Sequence, residues 1–120
     1  MGQSKPFQPL ALVVEDDFSQ RFVLCSLLED KDLSVIQCES AEAAELVLEK
    51  VGAGLSVMVT DVELAGTETG VELAANARAR FPGLTILVVS GNEHLEALPD
   101  DVCFLRKPYR PLDVLREVLR

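Results

Sequence analysis

The stretch Leu55-Ser56-Val57-Met58-Val59-Thr60-Asp61 decides the fold. It is an apolar run of strand length that ends on a carboxylate and is followed by a polar loop containing glycine. A parallel strand that is buried on both faces is nearly continuous in apolar residues. Residues at the carboxyl ends of such strands line the ligand crevice of an open α/β sheet. We therefore predict that Asp61 lies at a functional edge and not in a core.

The composition limits the classes of protein that this chain can belong to. A length of 120 residues is that of one domain, and 20 acidic against 11 basic residues give a net charge of -9. This charge argues against a nucleic-acid or anionic-membrane surface, because both need a basic patch. No apolar run approaches the ~20 residues of a membrane span, and no basic-then-apolar leader is present.

The three cysteines are odd in number and widely spaced, and each lies in an apolar run: Cys25, Cys38 and Cys103. We interpret them as reduced core thiols of a cytoplasmic protein. A zinc site is not expected, because the chain has one histidine and no close pair of cysteines.

Working outward from the central stretch, four more apolar runs have the length of buried strands. They are Leu10–Val14, Leu33–Cys38, 84–89 and 102–105. Helical patterns alternate with these runs, which predicts a parallel sheet with helices on both faces. Residues 1–9, with two prolines, are expected to be a flexible lead-in.

Apolar spacing and capping residues place the helices. Phe18, Phe22, Cys25 and Leu28 recur at helical spacing and predict a first helix. Its predicted cap is Asp17. A second helix is predicted after Ser40, and a third after a capping box formed by Thr69 and Glu72. The last helix is predicted to begin at Pro111, with Leu112, Leu115, Val118 and Leu119 on one face.

Polar side chains stand at four of the predicted strand ends. Glu15 and Asp16 follow the first strand, Asp61 ends the third, Ser90 follows the fourth and Lys107 follows the fifth. Converging carboxylates repel one another unless a cation lies between them. Mg²⁺ is typically held by one or two carboxylates together with waters and phosphate oxygens, and a lysine suits a phosphoryl oxygen. The pattern indicates a magnesium and phosphate site.

These residues resemble the receiver domain of bacterial two-component response regulators. The matching segments are Val13-Val14-Glu15-Asp16, Val59-Thr60-Asp61, Gly70, Val88-Val89-Ser90-Gly91 and Lys107-Pro108-Tyr109. The resemblance runs from Leu10 to the end of the chain, so that residues 10–120 are expected to form the receiver domain. It implies a flavodoxin-like (βα)5 doubly wound parallel sheet with strand order 2-1-3-4-5.

The resemblance also implies roles for the residues at the strand ends. Asp61 would be the phosphoacceptor, taking a phosphoryl group from a phosphohistidine on a histidine kinase or a phosphotransfer protein. Asp16 would bind Mg²⁺ directly and Glu15 through water, with Asp61 and the backbone carbonyl of Glu63 as further ligands. Lys107 would pair with the phosphoryl oxygens. Such a protein catalyses only its own phosphorylation and dephosphorylation, so it is not otherwise an enzyme.

Further residues of the resemblance concern the response to phosphorylation. Ser90 and Phe104 would form the conformational switch. Glu63 and Asn92 stand where the family tunes the lifetime of the acyl phosphate. Pro108 stands where the family has a cis peptide bond.

The sequence departs from the family pattern in two regions. Ala65 replaces a frequent proline, and the loop between Asp61 and Gly70 is one residue longer than usual, which predicts a mobile loop. The chain between Ser90 and Lys107 is short, so the fourth helix, over residues 92–98, is expected to be shortened or irregular. Dimerisation through the face next to it is then in doubt, and we expect a monomer or a weak dimer. We expect no output domain after the last helix.

Two other readings remain open. The chain could be a binding module that keeps the fold and signals without phosphorylation. Glu15 with Asp61-Val62-Glu63 also resembles the acidic pattern of Mg²⁺-dependent topoisomerase–primase domains, although the net charge argues against DNA chemistry. Arg21 on the first helix is a candidate contact for a kinase, because kinase partners of the family dock near that helix.

Overall fold

Five parallel strands form one sheet at the centre of the protein. The computed structural model describes residues 8–92 and 98–119. The strands are β1 (Leu10–Val14), β2 (Ser34–Cys38), β3 (Leu55–Asp61), β4 (Thr85–Ser90) and β5 (Cys103–Arg106). Their order across the sheet is β2-β1-β3-β4-β5. The predicted fold class and strand order are confirmed.

Helices cover both faces of the sheet. They are α1 (Phe18–Glu29), α2 (Ala41–Val51), α3 (Gly70–Arg80) and α4 (Pro111–Val118), with a 3₁₀ turn at Gly52–Gly54. Buried residues of α2 and α3 pack on one face of the sheet, and those of α1 and α4 pack on the other. No helix in the described part of the chain is long and apolar enough to cross a membrane. Most of the shortened helix predicted for 92–98 lies outside the described residues, as do residues 1–7 of the predicted lead-in.

The strand register brings the predicted site residues to one edge. Val14 at the end of β1 pairs with Thr60, and Asp61 at the end of β3 pairs with Val89. Ser90 at the end of β4 pairs with Arg106 at the end of β5. All strands are parallel, so each strand end feeds its following loop into the same edge of the sheet.

The predicted helix caps are present. The Asp17 side chain accepts a hydrogen bond from the backbone N–H of Gln20 at 2.8 Å, and Ser40 caps α2 in the same way. Thr69 and Glu72 form a reciprocal capping box at the start of α3, with hydrogen bonds of 3.2 and 3.0 Å. These bonds satisfy backbone donors that the first turn of a helix leaves unpaired.

The predicted first helix is confirmed, but the apolar residues that predict it are only partly buried. Cys25 and Leu28 are buried, but Phe18 and Phe22 are 70% and 62% exposed. The side chain that turns toward the sheet between them is Arg21, which is 7% exposed. The apolar pattern takes no account of arginine. The two phenylalanines therefore indicate a face that is rotated about the helix axis from the face that is buried.

The last helix has a similar error. Leu112 and Leu119 are 58% and 46% exposed, whereas Val114 and Val118 are buried. This short helix buries a narrow stripe with a spacing of four residues. The four predicted residues span a wider face than the one that an eight-residue helix packs against the sheet.

The loop between β3 and α3 is held by its neighbours. Ala65 forms an isolated parallel bridge with Ser40. The Glu42 carboxylate on α2 accepts hydrogen bonds from the backbone and hydroxyl of Thr67 at 3.1 and 3.0 Å, and from the backbone of Glu68 at 3.2 Å. The extra residue predicted a mobile loop, but these contacts tie the segment to α2.

Gly70 gives the first prediction, because α3 begins against the backbone of the central strand. A Cβ atom at Gly70 would lie 1.8 Å from the carbonyl oxygen of Asp61. Gly70→Ala is therefore expected to lower the free energy of unfolding by about 1–3 kcal/mol or more, measured by urea denaturation. Gly83→Ala is the control, because a Cβ there meets no atom within 4 Å. Equal stability of the two variants would contradict this account.

Candidate functional site

Three carboxylates converge at the carboxyl edge of the sheet. Glu15 and Asp61 are 1% and 4% exposed, and Asp16 is exposed. One oxygen from each lies within 4.8 Å of the others, which is close enough to hold a metal ion. Burial of two acids is costly unless their charge is compensated.

Lys107 supplies one compensating charge. Its Nζ lies 2.7 Å from Asp61 Oδ2 and 3.4 Å from Glu15 Oε2, and it also donates to Gln20 Oε1. The backbone N–H of Lys107 donates to the carbonyl oxygen of Ser90 at 2.8 Å, which ties the segment after β5 to the end of β4. The peptide bond that follows, between Lys107 and Pro108, is cis.

These contacts shift the pKa values of the two buried acids in opposite directions. Burial, a hydrogen bond with Asp61 and the charge of Asp61 raise the pKa of Glu15 to about 7. Burial also acts to raise the pKa of Asp61, but hydrogen bonds with the side chains of Glu15, Lys107 and Glu63, together with the charge of Lys107, outweigh it and lower that pKa. Burial acts to lower the pKa of Lys107, but its contacts with Asp61 and Glu15 raise it. The pKa of Glu15 thus rises while that of Asp61 falls, so that Glu15 is the acid that takes up a proton first as the pH is lowered.

Ser90 lies beside this cluster with its hydroxyl engaged. The side chain is fully buried. Its Oγ donates to the Glu63 carboxylate, with distances of 3.1 and 3.3 Å to the two oxygens, and accepts from the backbone N–H of Asn92 at 2.9 Å. The backbone N–H of Glu63 in turn donates to Asp61 Oδ1 at 3.3 Å. Glu63 therefore connects the central carboxylate to the serine through its backbone and its side chain.

Phe104 lies on β5, where it pairs with Val88 of β4. Its side chain is 37% exposed. The structure thus places this aromatic on the edge strand, next to the strand that ends at Ser90. Its role as a switch stays a prediction.

Arg21 holds residues of the site in place, a role that the sequence pattern did not predict. Its Nη1 donates to the backbone carbonyl of Glu15 at 2.8 Å, and its Nε donates to Gln37 Oε1 at 3.2 Å. Its Nη2 lies 3.4 Å from Glu39 Oε1. Burial of this guanidinium does not fit the suggested role as an exposed kinase contact. A signal was present in the sequence, because Arg21 lies three and four residues before Leu24 and Cys25, on the helical stripe that they bury.

An aromatic and apolar surface flanks the site. Phe18 and Phe22 stack with ring centroids 6.4 Å apart, and Val23 beside them is 49% exposed. A groove of about 520 Å³ lies between α1 and the segment after β5. Its lining residues are Ser19, Gln20, Val23, Lys107, Pro108 and Tyr109. We call Phe18, Phe22, Val23 and Tyr109 the α1 patch.

The donor set fits a hard divalent cation. Carboxylate oxygens are the ligands that Mg²⁺ and Ca²⁺ prefer, and the three acids here offer them at one point. Two of these acids are buried against each other, and a cation would offset the repulsion that contributes to the raised pKa of Glu15 and that Lys107 offsets in part.

Comparison with known proteins points to one family. A family model described as the response regulator receiver domain matches residues 11–118. The comparison with curated proteins found no match.

Solved structures that resemble the chain have the same description. A response regulator receiver protein from Sinorhizobium medicae WSM419 is 26% identical, with a TM-score of 0.84 over 93% of this chain and 92% of that one. One from Pseudomonas putida is 29% identical, with a TM-score of 0.79 over 96% and 98%. A response regulator from Burkholderia pseudomallei, solved with a phosphorylated aspartic acid, a calcium ion and citrate, is 25% identical, with a TM-score of 0.76 over 92% and 66%.

The raised pKa of Glu15 gives a prediction for the metal-free protein. The folded state binds this proton more tightly than the unfolded chain, whose glutamate pKa is near 4.5. The stability from Glu15 is therefore complete below about pH 4.5 and is lost as the pH rises through about 7. In EDTA, Glu15→Gln is expected to remove this part of the fall in unfolding free energy between about pH 5 and about pH 8.

Urea denaturation at both pH values measures the effect. Glu49→Gln, which removes an exposed carboxylate from α2, is the control and is expected to keep the wild-type slope. The opposite effect, from the lowered pKa of Asp61, falls at lower pH and does not overlap this window. A wild-type slope in Glu15→Gln would contradict the assignment of the proton to Glu15.

Proposed function

Because the chain belongs to the response regulator receiver domain family, we propose that it is a phosphoaccepting switch whose acceptor is Asp61. Receiver domains are signalling modules of two-component systems and not enzymes with external substrates. The finer parts of the proposal are the identity of the acceptor, the metal, the phosphodonor and the switch. We propose residues 10–120 as the receiver unit.

One observation carries the proposal. Asp61 is a nearly buried carboxylate at the end of the central strand, and it is held ionised 2.7 Å from the ammonium of Lys107. A carboxylate must be ionised to act as a nucleophile. Phosphoryl transfer depends mainly on positioning and on neutralising charge, which is what Lys107 offers.

The reaction needs little covalent chemistry from the protein. An oxygen of Asp61 attacks the phosphorus of a phosphohistidine, the P–N bond breaks, and the imidazole leaves with the electron pair and takes a proton. The product on Asp61 is an acyl phosphate. Lys107 already contacts the attacking carboxylate, and a short movement would let its ammonium pair with a phosphoryl oxygen as well. Hydrolysis of the acyl phosphate by water resets the switch.

We propose that Mg²⁺ binds at the three acids. Asp16 and Asp61 would be direct ligands, Glu15 would bind through water after losing its proton, and the backbone carbonyl of Glu63 would complete the protein ligands. When bound, Mg²⁺ supplies positive charge that offsets the charge of the phosphoryl oxygens. The calcium ion and phosphorylated aspartate of the Burkholderia pseudomallei relative support this arrangement.

We propose that Ser90 and Phe104 carry the response. The Ser90 hydroxyl would turn to donate to the phosphoryl group, and Phe104 would move inward behind it. Asn92 and Glu63 are proposed to set the lifetime of the acyl phosphate, because both contact the Ser90 hydroxyl at the mouth of the site.

The proposed donor is a histidine kinase or a phosphotransfer protein. We propose that it docks on the α1 patch, which places large apolar side chains beside the site entrance. A cytoplasmic location is proposed as well, in keeping with the three free thiols. Neither nucleic acid nor a membrane is proposed as a partner, because the chain is strongly acidic.

Phosphorylation by a small donor tests the proposal. Incubation with Mg²⁺ and acetyl phosphate is expected to add one phosphoryl group to the intact protein, detected by mass spectrometry. The gain is expected to disappear in Asp61→Asn and in EDTA, because the nucleophile or the cation is then missing. Asp113→Asn is the matched control, since it removes a carboxylate from α4.

Three results lead away from this function. A wild-type protein that gains no phosphoryl group from any donor is the outcome expected of a binding module that signals without phosphorylation. A gain that persists in Asp61→Asn would place the acceptor elsewhere. Metal-dependent nicking of DNA would favour the topoisomerase–primase reading.

The α1 patch is tested by comparing two donors. Phe22→Ala removes a 62% exposed ring and is expected to slow transfer from a phosphorylated histidine phosphotransfer domain about tenfold, since interface aromatics are frequent hot spots. The rate with acetyl phosphate is expected to stay unchanged, because the small donor needs no docking surface. Leu46→Ala, a 61% exposed residue on α2, is the control. Equal loss with both donors would assign Phe22 to the reaction site and not to docking.

A further inference from the structure

The Ser90 hydroxyl is already bonded in the resting protein. Its one proton is directed to the Glu63 carboxylate at 3.1 and 3.3 Å, and its oxygen accepts from the Asn92 backbone at 2.9 Å. A serine hydroxyl has a single proton to donate. It cannot bond Glu63 and a phosphoryl group on Asp61 at full strength together.

We propose that Glu63 is a latch that holds the Ser90 hydroxyl in the resting state until a phosphoryl group displaces it. This inference rests on the proposed function and concerns the control of the same site. In the resting protein the Glu63 carboxylate is the charged acceptor for the Ser90 proton. After phosphorylation a phosphoryl oxygen would be the charged acceptor for the same proton. Phosphorylation is then an exchange of one charged acceptor for another.

The position of Glu63 suits a latch. Its backbone N–H donates to Asp61 Oδ1 at 3.3 Å, so the residue is fixed beside the acceptor. The loop that follows is tied down by the bridge between Ala65 and Ser40. The Glu63 side chain is nevertheless exposed, so it can rotate into solvent without moving the backbone.

Charge supplies the reason for release. Formation of the acyl phosphate replaces the single negative charge of Asp61 with a phosphoryl group that carries about 1.5 to 2 negative charges, close to the Glu63 carboxylate. Like charges at short distance repel, and the repulsion favours rotation of Glu63 away from the site. The freed Ser90 proton then turns to the phosphoryl oxygen, while the Asn92 N–H can stay on Ser90 Oγ.

A double-mutant cycle separates the latch from simple charge repulsion. The four proteins are the wild type, Glu63→Ala, Ser90→Ala and the double variant. Their affinity for beryllofluoride, a phosphoryl analogue, is measured with saturating Mg²⁺. Glu63→Ala is expected to raise this affinity about tenfold, the order expected from losing one hydrogen bond to a charged group. The gain is expected to vanish when Ser90 is alanine, because the latch acts through that hydroxyl.

Each other result overturns the latch. An unchanged affinity in Glu63→Ala shows that the contact does not oppose the bound state. A gain that persists with Ser90→Ala assigns the effect to charge alone. Ser90→Cys, which keeps a weak donor, replaces Ser90→Ala if the alanine variant does not fold. Glu68→Gln, which removes a carboxylate from the same loop, is the control and is expected to leave the affinity unchanged.

The resting contact has its own readout. The Asn92 amide bonds Ser90 Oγ, so its NMR chemical shift reports the orientation of the hydroxyl without any phosphoryl analogue. Glu63→Ala is expected to move the Asn92 amide signal in the metal-free protein, and Glu68→Gln is not. An unmoved signal overturns the latch. Failure of the proposed function looks different, since no variant then binds beryllofluoride.

Discussion

The ion pair between Lys107 and Asp61 is the contact on which the rest of the site depends. It joins residues 46 positions apart in the chain at 2.7 Å. β4 lies between β3 and β5, and Lys107 follows β5 directly, so the contact exists only because all three strands are parallel and end at one level. A buried carboxylate without a partner would take up a proton. Because the sheet order brings Lys107 to Asp61, it helps to keep the pKa of Asp61 low.

The hydrogen bonds of Glu15 fix the turn that follows β1 next to this ion pair. Its backbone N–H donates to the Cys38 carbonyl at 3.0 Å, its carbonyl accepts from Arg21 at 2.8 Å, and its carboxylate accepts from the Asp17 backbone at 3.1 Å. Every polar group of this buried residue is thus used by a different element of the fold. If Glu15 contributes to a cation site as proposed, it would need little rearrangement to do so, and Mg²⁺ would compete with the proton that the raised pKa of Glu15 favours.

The sequence alone predicted the parallel sheet and the convergence of the acids. Apolar runs that end in polar residues place those residues at one functional edge when the runs form a parallel sheet. It was insufficient for contacts that depend on how a side chain turns. Arginine side chains are usually exposed, but Arg21 is buried. Phe18 and Phe22 are exposed instead, although their spacing matched that of core residues. The bond between Glu63 and Ser90 depends on the conformation of a loop, which strand periodicity does not encode.

The Ser90 contact also limits the energy available for switching. A hydrogen bond to a charged group is worth about 1.5–3 kcal/mol, but Ser90 donates to a charged carboxylate before phosphorylation and would donate to a phosphoryl group after it. Only the difference between these two bonds drives the change, whereas a reversal from 1:99 to 99:1 needs about 5.5 kcal/mol. Lys107 is likewise paired in the resting state. Under the proposed mechanism, the change in charge and the binding of a downstream partner would supply most of the driving force, and we expect this receiver domain to switch fully only when that partner is present.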